Sequence, residues 1–453
     1  MLIRFNTSNF KSINNEVSLN LTPSAKVRRH AHHTSKHIKL PVLRGALIYG
    51  ANASGKSNLC EAMDIVPLLL QEDKANIIPF DSSKPSVFEY EFIINDVAYA
   101  FGFSYKSGAI SEEWLYTLND EGDDDFIYRY GSDTAGKIEI NESISGKLDE
   151  ESNLYLKFLF RSRDEQRLFI SELVRKKDEH LNELLHPLKE AMKWFLNVFT
   201  VISPHSSYIQ FEDDLIDDEN SKKFYETFLK AFDTGIESIE ISQHELSDLE
   251  DSIGNRIKKI LDDNKETIGH KWGFVVNLPT HRLNIDVDEN GNIEKINEVL
   301  FKNSGKSSGK SFFSFNELSD GTQRLIDLIP AIYKSIFHEK VFVIDEIDRS
   351  IHPIIIKILL EFFYDSKVKP NGQIIVTTHD TGVMEQEFLR KDEIWFVQKE
   401  HDGSSLLYAL DEYALDVRND KCLIKDYLNG RYGAVVNYKI AKSIIAELYD
   451  GKS

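Results

Sequence analysis

Gly50-Ala51-Asn52-Ala53-Ser54-Gly55-Lys56-Ser57 decides how the rest of this chain is read. The stretch follows the apolar run Ala46-Leu47-Ile48-Tyr49 and precedes Asn58-Leu59-Cys60-Glu61-Ala62-Met63, so it reads as strand, glycine loop and helix. Its spacing, G-x-x-x-x-G-K-S, is that of a phosphate-binding P-loop. Gly50 and Gly55 permit a tight backbone. The N–H groups from Asn52, Ala53 and Ser54 through Asn58 then turn inward, and with the helix N-terminus they hold a polyphosphate. Lys56 reaches the β- and γ-phosphates, and the Ser57 hydroxyl ligates Mg²⁺.

Working outward, 453 residues suggest two or three domains, and 28% charged with 41% hydrophobic residues is a globular composition. The formal net charge of −20 counts against a broad grip on nucleic acid or an anionic membrane, while leaving room for a local basic groove. Cys60 and Cys422 show neither disulfide nor zinc spacing, which suits a reducing cytoplasm. The first residues lack the shape of a signal peptide, and no apolar run has the length of a membrane span.

N-terminal to the P-loop, two short strands are expected, Leu2 to Phe10 and Glu16 to Leu21, followed by a polar loop from Lys26 to His37. That loop carries His30, His32, His33 and His37 beside Arg28 and Arg29. No cysteine or carboxylate joins them in sequence, so the stretch reads as a solvated or nucleotide-edge loop before it reads as a metal site. After the P-loop helix the hydrophobic period falls to two. Phe88 to Ile94, Val97 to Tyr105 and Glu112 to Leu118 form an antiparallel meander, with Phe126 to Tyr130 and Lys137 to Ile140 closing it. From about 152 the spacing turns helical, and a stripe from Leu181 to Phe195 continues it. Strands return at Trp272 to Leu278 and Leu283 to Val287, with a hairpin signal at Asn290-Gly291. Gly305 to Ser311 imitates a P-loop one residue too short and reads as a loop.

Leu318-Ser319-Asp320-Gly321-Thr322-Gln323 then opens a helix. Ser319 and Gly321 at a helix start make a second anion site, although the same stretch reads equally well as a plain helix cap. Val341-Phe342-Val343-Ile344 is a strand apolar on both faces that ends in Asp345-Glu346. Asp345 is placed to hold Mg²⁺, and Glu346 to orient and deprotonate a water. Asp348 and His352-Pro353 follow, and a second buried strand, Gln373 to Thr378, ends at His379, a γ-phosphate sensor.

This order of five motifs resembles the ABC-class ATPases. The Leu-Ser-Asp-Gly-Thr-Gln signature is similar to the soluble heads of the SMC, RecF and OLD kind. Asn9-Phe10-Lys11-Ser12, Tyr49 to Asn58, and Tyr427-Leu428-Asn429-Gly430-Arg431-Tyr432-Gly433-Ala434 further resemble the bacterial AAA-annotated ATPases of abortive-infection type. The resemblance implies an α/β fold: a P-loop ABC-type ATPase head with an antiparallel β meander and an inserted helical subdomain. On it the chain divides into an N-terminal ATPase lobe (1–150), a helical insert (151–270) and a C-terminal lobe (271–453). It also implies ATP and Mg²⁺ as cofactors, and Gln166 as the glutamine expected to line the metal site after the meander. An ATP-dependent homodimer or higher homo-oligomer follows from it, as does control of a separate effector, a TOPRIM-like or RloB-type nuclease, in anti-phage defence. Three other readings compete. A RecF-type repair ATPase needs a basic DNA face, which the net charge disfavours. A nuclease could use Arg175 and His180 in Arg175-Lys176-Lys177-Asp178-Glu179-His180, a spacing common by chance in charged helices. A transporter ATPase is opposed by the antiparallel meander.

Overall fold

Gly45–Tyr49, the strand that leads into the P-loop, is buried along its whole length. It lies between two parallel neighbours, Gln373–Thr378 and Ile394–Lys399. Beyond Gln373–Thr378 come Val341–Ile344 and then Phe199–Ile202, both parallel, and Ser405–Ala409 closes the opposite edge antiparallel. Strands inside a parallel sheet have no wet face, which is why these read as unbroken apolar runs. The computed structural model describes residues 1–37, 40–72, 74–119, 125–175, 181–204, 211, 214–215, 218–263, 272–278, 281–303, 311–385, 387–413, 423–435 and 442.

The meander is a second sheet of seven strands, antiparallel throughout. Its order is Glu139–Ile140, Asp125–Tyr130, Ala109–Thr117, Val97–Lys106, Ser86–Ile94, Leu2–Ser8 and Val17–Asn20. Gln373, fully buried, ties it to the parallel sheet. Its side chain accepts from Leu2 N at 2.5 Å and donates to Leu2 O at 2.9 Å and Leu43 O at 2.7 Å. Part of the expected 26–37 loop is structured, since Thr34–His37 pairs with Leu40–Leu43.

Two compact units make up the chain. One comprises Met1–Pro204, Lys334–Asp348 and Ile356–Ser453; the other comprises His205–Tyr333 and Arg349–Ile355. The divisions expected at 150/151 and 270/271 therefore fall elsewhere. Helices Glu150–Arg161, Phe169–Arg175 and Asn182–Lys193 belong to the first unit, because Leu156, Phe160, Leu173 and Leu185 bury in its hydrophobic core. Nor is the second unit simply helical. Ile236–His244, Ile293–Asn303, Arg282–Val287 and Trp272–Asn277 form an antiparallel sheet, with Phe312–Ser314 on Ile293–Asn303. Ile253 and Ile257 of helix Asp251–Asp263 pack on Leu283, Ile285 and Ile296 of that sheet. The short P-loop imitation at 305–311 lies outside the described residues except for Ser311. No helix among the described residues is long and apolar enough to cross a membrane.

Glu113 joins the meander to the helices behind it. Its buried carboxylate accepts from the Tyr128 and Tyr130 hydroxyls, from Phe169 N at 2.7 Å and from Ile170 N at 2.9 Å, at the start of helix Phe169–Arg175. Burial outweighs these donors and pushes Glu113 up to about 7 from 4.5. The folded state thus holds a proton that the unfolded chain releases. That contribution is full below about pH 4.5 and is lost as pH rises through about 7, a change of about 3 kcal/mol. Urea unfolding across this range is expected to show wild type losing stability relative to Glu113→Gln as pH rises; parallel curves refute the assignment.

Candidate nucleotide site

Lys56 is the first residue of the helix Lys56–Glu72, and its side chain turns back over the loop that precedes it. Nζ donates to Gly50 O at 2.8 Å and Ala51 O at 3.1 Å and lies 3.4 Å from His379 Nδ1. Burial pulls the ammonium below its ordinary value, against the pull of Asp345, Glu346 and Asp348. Gly55 has φ +113°, and a Cβ there would lie 2.1 Å from Ser405 Oγ. Gly50 is tight for another reason: its Cβ would lie 2.5 Å from Val397 O. Asn52 and Ala53 are exposed at the tip, with Ala53 at φ +60°, while Ser54 is buried.

The loop is braced by residues that its own pattern does not reveal. Ser405 Oγ donates to Ser54 O at 2.6 Å and lies 2.8 Å from Ser12 Oγ, whose hydroxyl can donate back to it, and Asn58 Nδ2 donates to Ser12 Oγ at 2.6 Å. Ser12 stands in the Asn9-Phe10-Lys11-Ser12 motif, so a signal for it existed. Ser405 carried none.

Asp345, Glu346, Asp348 and His379 gather at the ends of adjacent parallel strands, as their motifs require. The organiser is Thr377, one strand over and fully buried. Its hydroxyl donates to Asp345 Oδ1 at 2.5 Å and accepts from Glu346 N at 2.8 Å. Cys60 adds a second donor to Asp345, since burial keeps its thiol protonated. Glu346 sits at φ +48°, a left-handed conformation rare for residues other than glycine and common where a side chain is held for function. His379 N donates to Asp348 Oδ2 at 3.2 Å. Thr377→Val keeps the shape but removes both bonds. It is expected to cost about 1–3 kcal/mol of stability in denaturant titration and to slow nucleotide turnover, with Thr377→Ser restoring both.

These residues fit a magnesium nucleotide. Lys56 Nζ is met by two carbonyls and a ring nitrogen, and by no carboxylate among the described residues. Asp348 Oδ1 and Ser54 Oγ are buried without a hydrogen-bond partner among the described residues. Such atoms are costly unless a ligand completes them.

Ser319 and Gly321 belong to the second unit. Ser319 is exposed, its Oγ 2.8 Å from Thr322 Oγ1, and it accepts from Thr322 N at 3.3 Å at the start of helix Asp320–Phe337. A Cβ on Gly321 would lie 2.7 Å from Ser350 O, so only glycine fits there. Gln166 is exposed in a turn, its N–H on Asp164 Oδ1, and the adjacent Glu165 O accepts from Ile110 N at the meander. Among the described residues it makes no hydrogen bond to Asp345, Glu346 or Asp348. Phe199–Ile202 runs beside the strand that ends at Asp345, and Ile202 O accepts from the backbone N of Asp345 at 2.9 Å. Of the Arg175 to His180 spacing, residues 176–180 and the Arg175 side chain lie outside the described residues.

The chain is similar to the crystal structure of the SmcHead bound to the C-winged helix domain of ScpA, at 14% identity and TM-score 0.39, over 90% of this chain and 97% of that one. It is similar also to the SMC head domain from Thermotoga maritima, at 13% identity and TM-score 0.34, over 90% and 98%. No curated protein matches it. The family model described as "AAA domain, putative AbiEii toxin, Type IV TA system" matches residues 46–385. That span is well over half of the chain and takes in Lys56, Ser319, Asp345, Glu346 and His379 together, and the chain belongs to this AAA-domain family.

Proposed function

We propose that the chain is a Mg²⁺-dependent ATPase that works as a nucleotide-switched homodimer, controlling a separate effector, a nuclease, in bacterial defence against phage. The observation that carries the enzymatic part is the meeting of Lys56, Asp345, Glu346, Asp348 and His379 at one end of one sheet. Bound Mg²⁺–ATP supplies the phosphoryl group and the counter-charge to it. Lys56 neutralises the terminal phosphates, Ser57 and Asp345 hold the cation, and Glu346 takes a proton from the attacking water. His379, within reach of Lys56 Nζ, senses the terminal phosphate. Ser319 and Gly321 would close the site from a second copy. The defence role rests on the family's description and on the motifs at both ends of the chain; the −20 charge favours a protein partner over nucleic acid.

The test is a purified chain assayed for phosphate release with and without Mg²⁺, and for mass by light scattering with and without ATP. Magnesium-dependent turnover and ATP-dependent dimers support the reading; ATP binding without either overturns it. The chain alone should cut neither DNA nor RNA. Cleavage that disappears in His180→Ala would move the nuclease into this chain and remove the separate effector.

A further inference from the structure

Outside the nucleotide site, three imidazoles converge in the segment that precedes the P-loop strand. One ring nitrogen from each of His30, His32 and His33 lies within 4.8 Å of the others. His30 is half-buried, His32 exposed and His33 buried, so the group opens to solvent on one side. Two of the rings have a nitrogen held by an oxygen. His33 Nδ1 is 3.0 Å from both carboxylate oxygens of buried Glu393, a symmetric contact that suits one N–H shared between two acceptors. His32 Nε2 is 3.0 Å from Tyr364 O, and a carbonyl can only accept. With N–H on His33 Nδ1 and His32 Nε2, the tautomers these oxygens allow, the lone pairs fall on His33 Nε2 and His32 Nδ1. An imidazole whose far nitrogen donates to a carboxylate or carbonyl is the arrangement that orients metal-ligating histidines and fixes their tautomer. In sequence the cluster lacked a carboxylate; the fold brings one from the far end of the chain.

We propose that His30, His32 and His33 bind a Zn²⁺ ion, one nitrogen each, with the fourth tetrahedral position left to water. Three neutral imidazoles are the ligands of a borderline-soft cation, and Mg²⁺ with its oxygen preference is excluded. Tetrahedral zinc needs nitrogens roughly 3.3 Å apart, given Zn–N bonds of about 2.0–2.1 Å. Rotation of His30 and His32, the less buried rings, closes that gap while Glu393 holds His33 in place. Of the two guanidiniums near His33, Arg390 is paired with Asp392 at 2.7 Å, and Arg44 is the second.

The test uses the full chain, stripped with chelator, free of nucleotide, and titrated with Zn²⁺ by calorimetry and with Co²⁺ by visible absorption. Wild type should take up one ion per chain and give the intense bands of four-coordinate cobalt with nitrogen ligands. The double variant His30→Ala/His32→Ala touches no nucleotide-site residue and should keep its circular dichroism and ATP affinity. Its metal affinity should fall by about 100-fold or more, at least the loss seen when a supporting partner is removed. Absence of binding by wild type, or equal binding by the double variant, overturns the site. An octahedral cobalt spectrum overturns the ligand set.

Discussion

Glu346→Gln is expected to bind ATP as wild type does and to turn it over about 10²–10⁴-fold more slowly, the usual weight of a general base. Glutamine matches glutamate in size, and the backbone bond from residue 346 to Thr377 Oγ1 is untouched, so the loop should hold its left-handed turn. The Lys56 contacts and the Asp345–Thr377 bond are likewise independent of the carboxylate of residue 346. What disappears is the group able to accept a proton. Binding and turnover therefore separate, and filter binding beside phosphate release reads them apart. Near-normal turnover removes Glu346 from its role; loss of binding as well shows that it acts on the fold or the cation instead.

Lys56→Ala and Ser319→Glu should each abolish turnover alone and restore part of it when mixed. Lys56→Ala removes the phosphate-binding charge, and Ser319→Glu sets a carboxylate against a phosphate. Position 319 is the better choice than 321, where any side chain strikes Ser350 O. If each site joins the P-loop of one copy to Ser319 of the other, a mixed dimer has one doubly damaged site and one intact. Random exchange then restores roughly a quarter of wild-type activity. Exchange is verified by pull-down of differently tagged copies. Should exchange occur and activity stay at zero, a structure of ATP-bound Glu346→Gln decides between coupled sites and unshared ones. Ser319 against the phosphate of its own chain ends the model.

The residues of the candidate site were legible because each stands at the end of an apolar run: Tyr49 into Gly50, Ile344 into Asp345, Thr378 into His379. Buried parallel strands announce themselves in that way, and the meander did so by alternation. Phe199–Ile202 was not legible. It is four residues long and follows the π-helical turn Trp194–Val198 without a break, so its apolar residues continue a helical stripe. Thr377 and Ser405 were invisible for a different reason. Their work is done across strands, and spacing along one strand says nothing about a hydroxyl on the next. The same holds for Glu393 behind His33.

The position of Gly45–Tyr49 has a consequence for how the protein is made. Both of its neighbours, Gln373–Thr378 and Ile394–Lys399, lie far downstream, and the Gln373 side chain reaches Leu43 across 330 residues. The meander can pair as soon as its hairpins leave the ribosome, whereas the P-loop strand must wait for nearly the whole chain. Contacts of such long range are slow to form and leave apolar segments exposed meanwhile. An interrupted translation product that stops before Gln373 thus carries an intact P-loop sequence with neither flanking strand in place. During elongation Gly45–Tyr49 is therefore an apolar segment that waits for both of its neighbours, the kind of segment a chaperone covers.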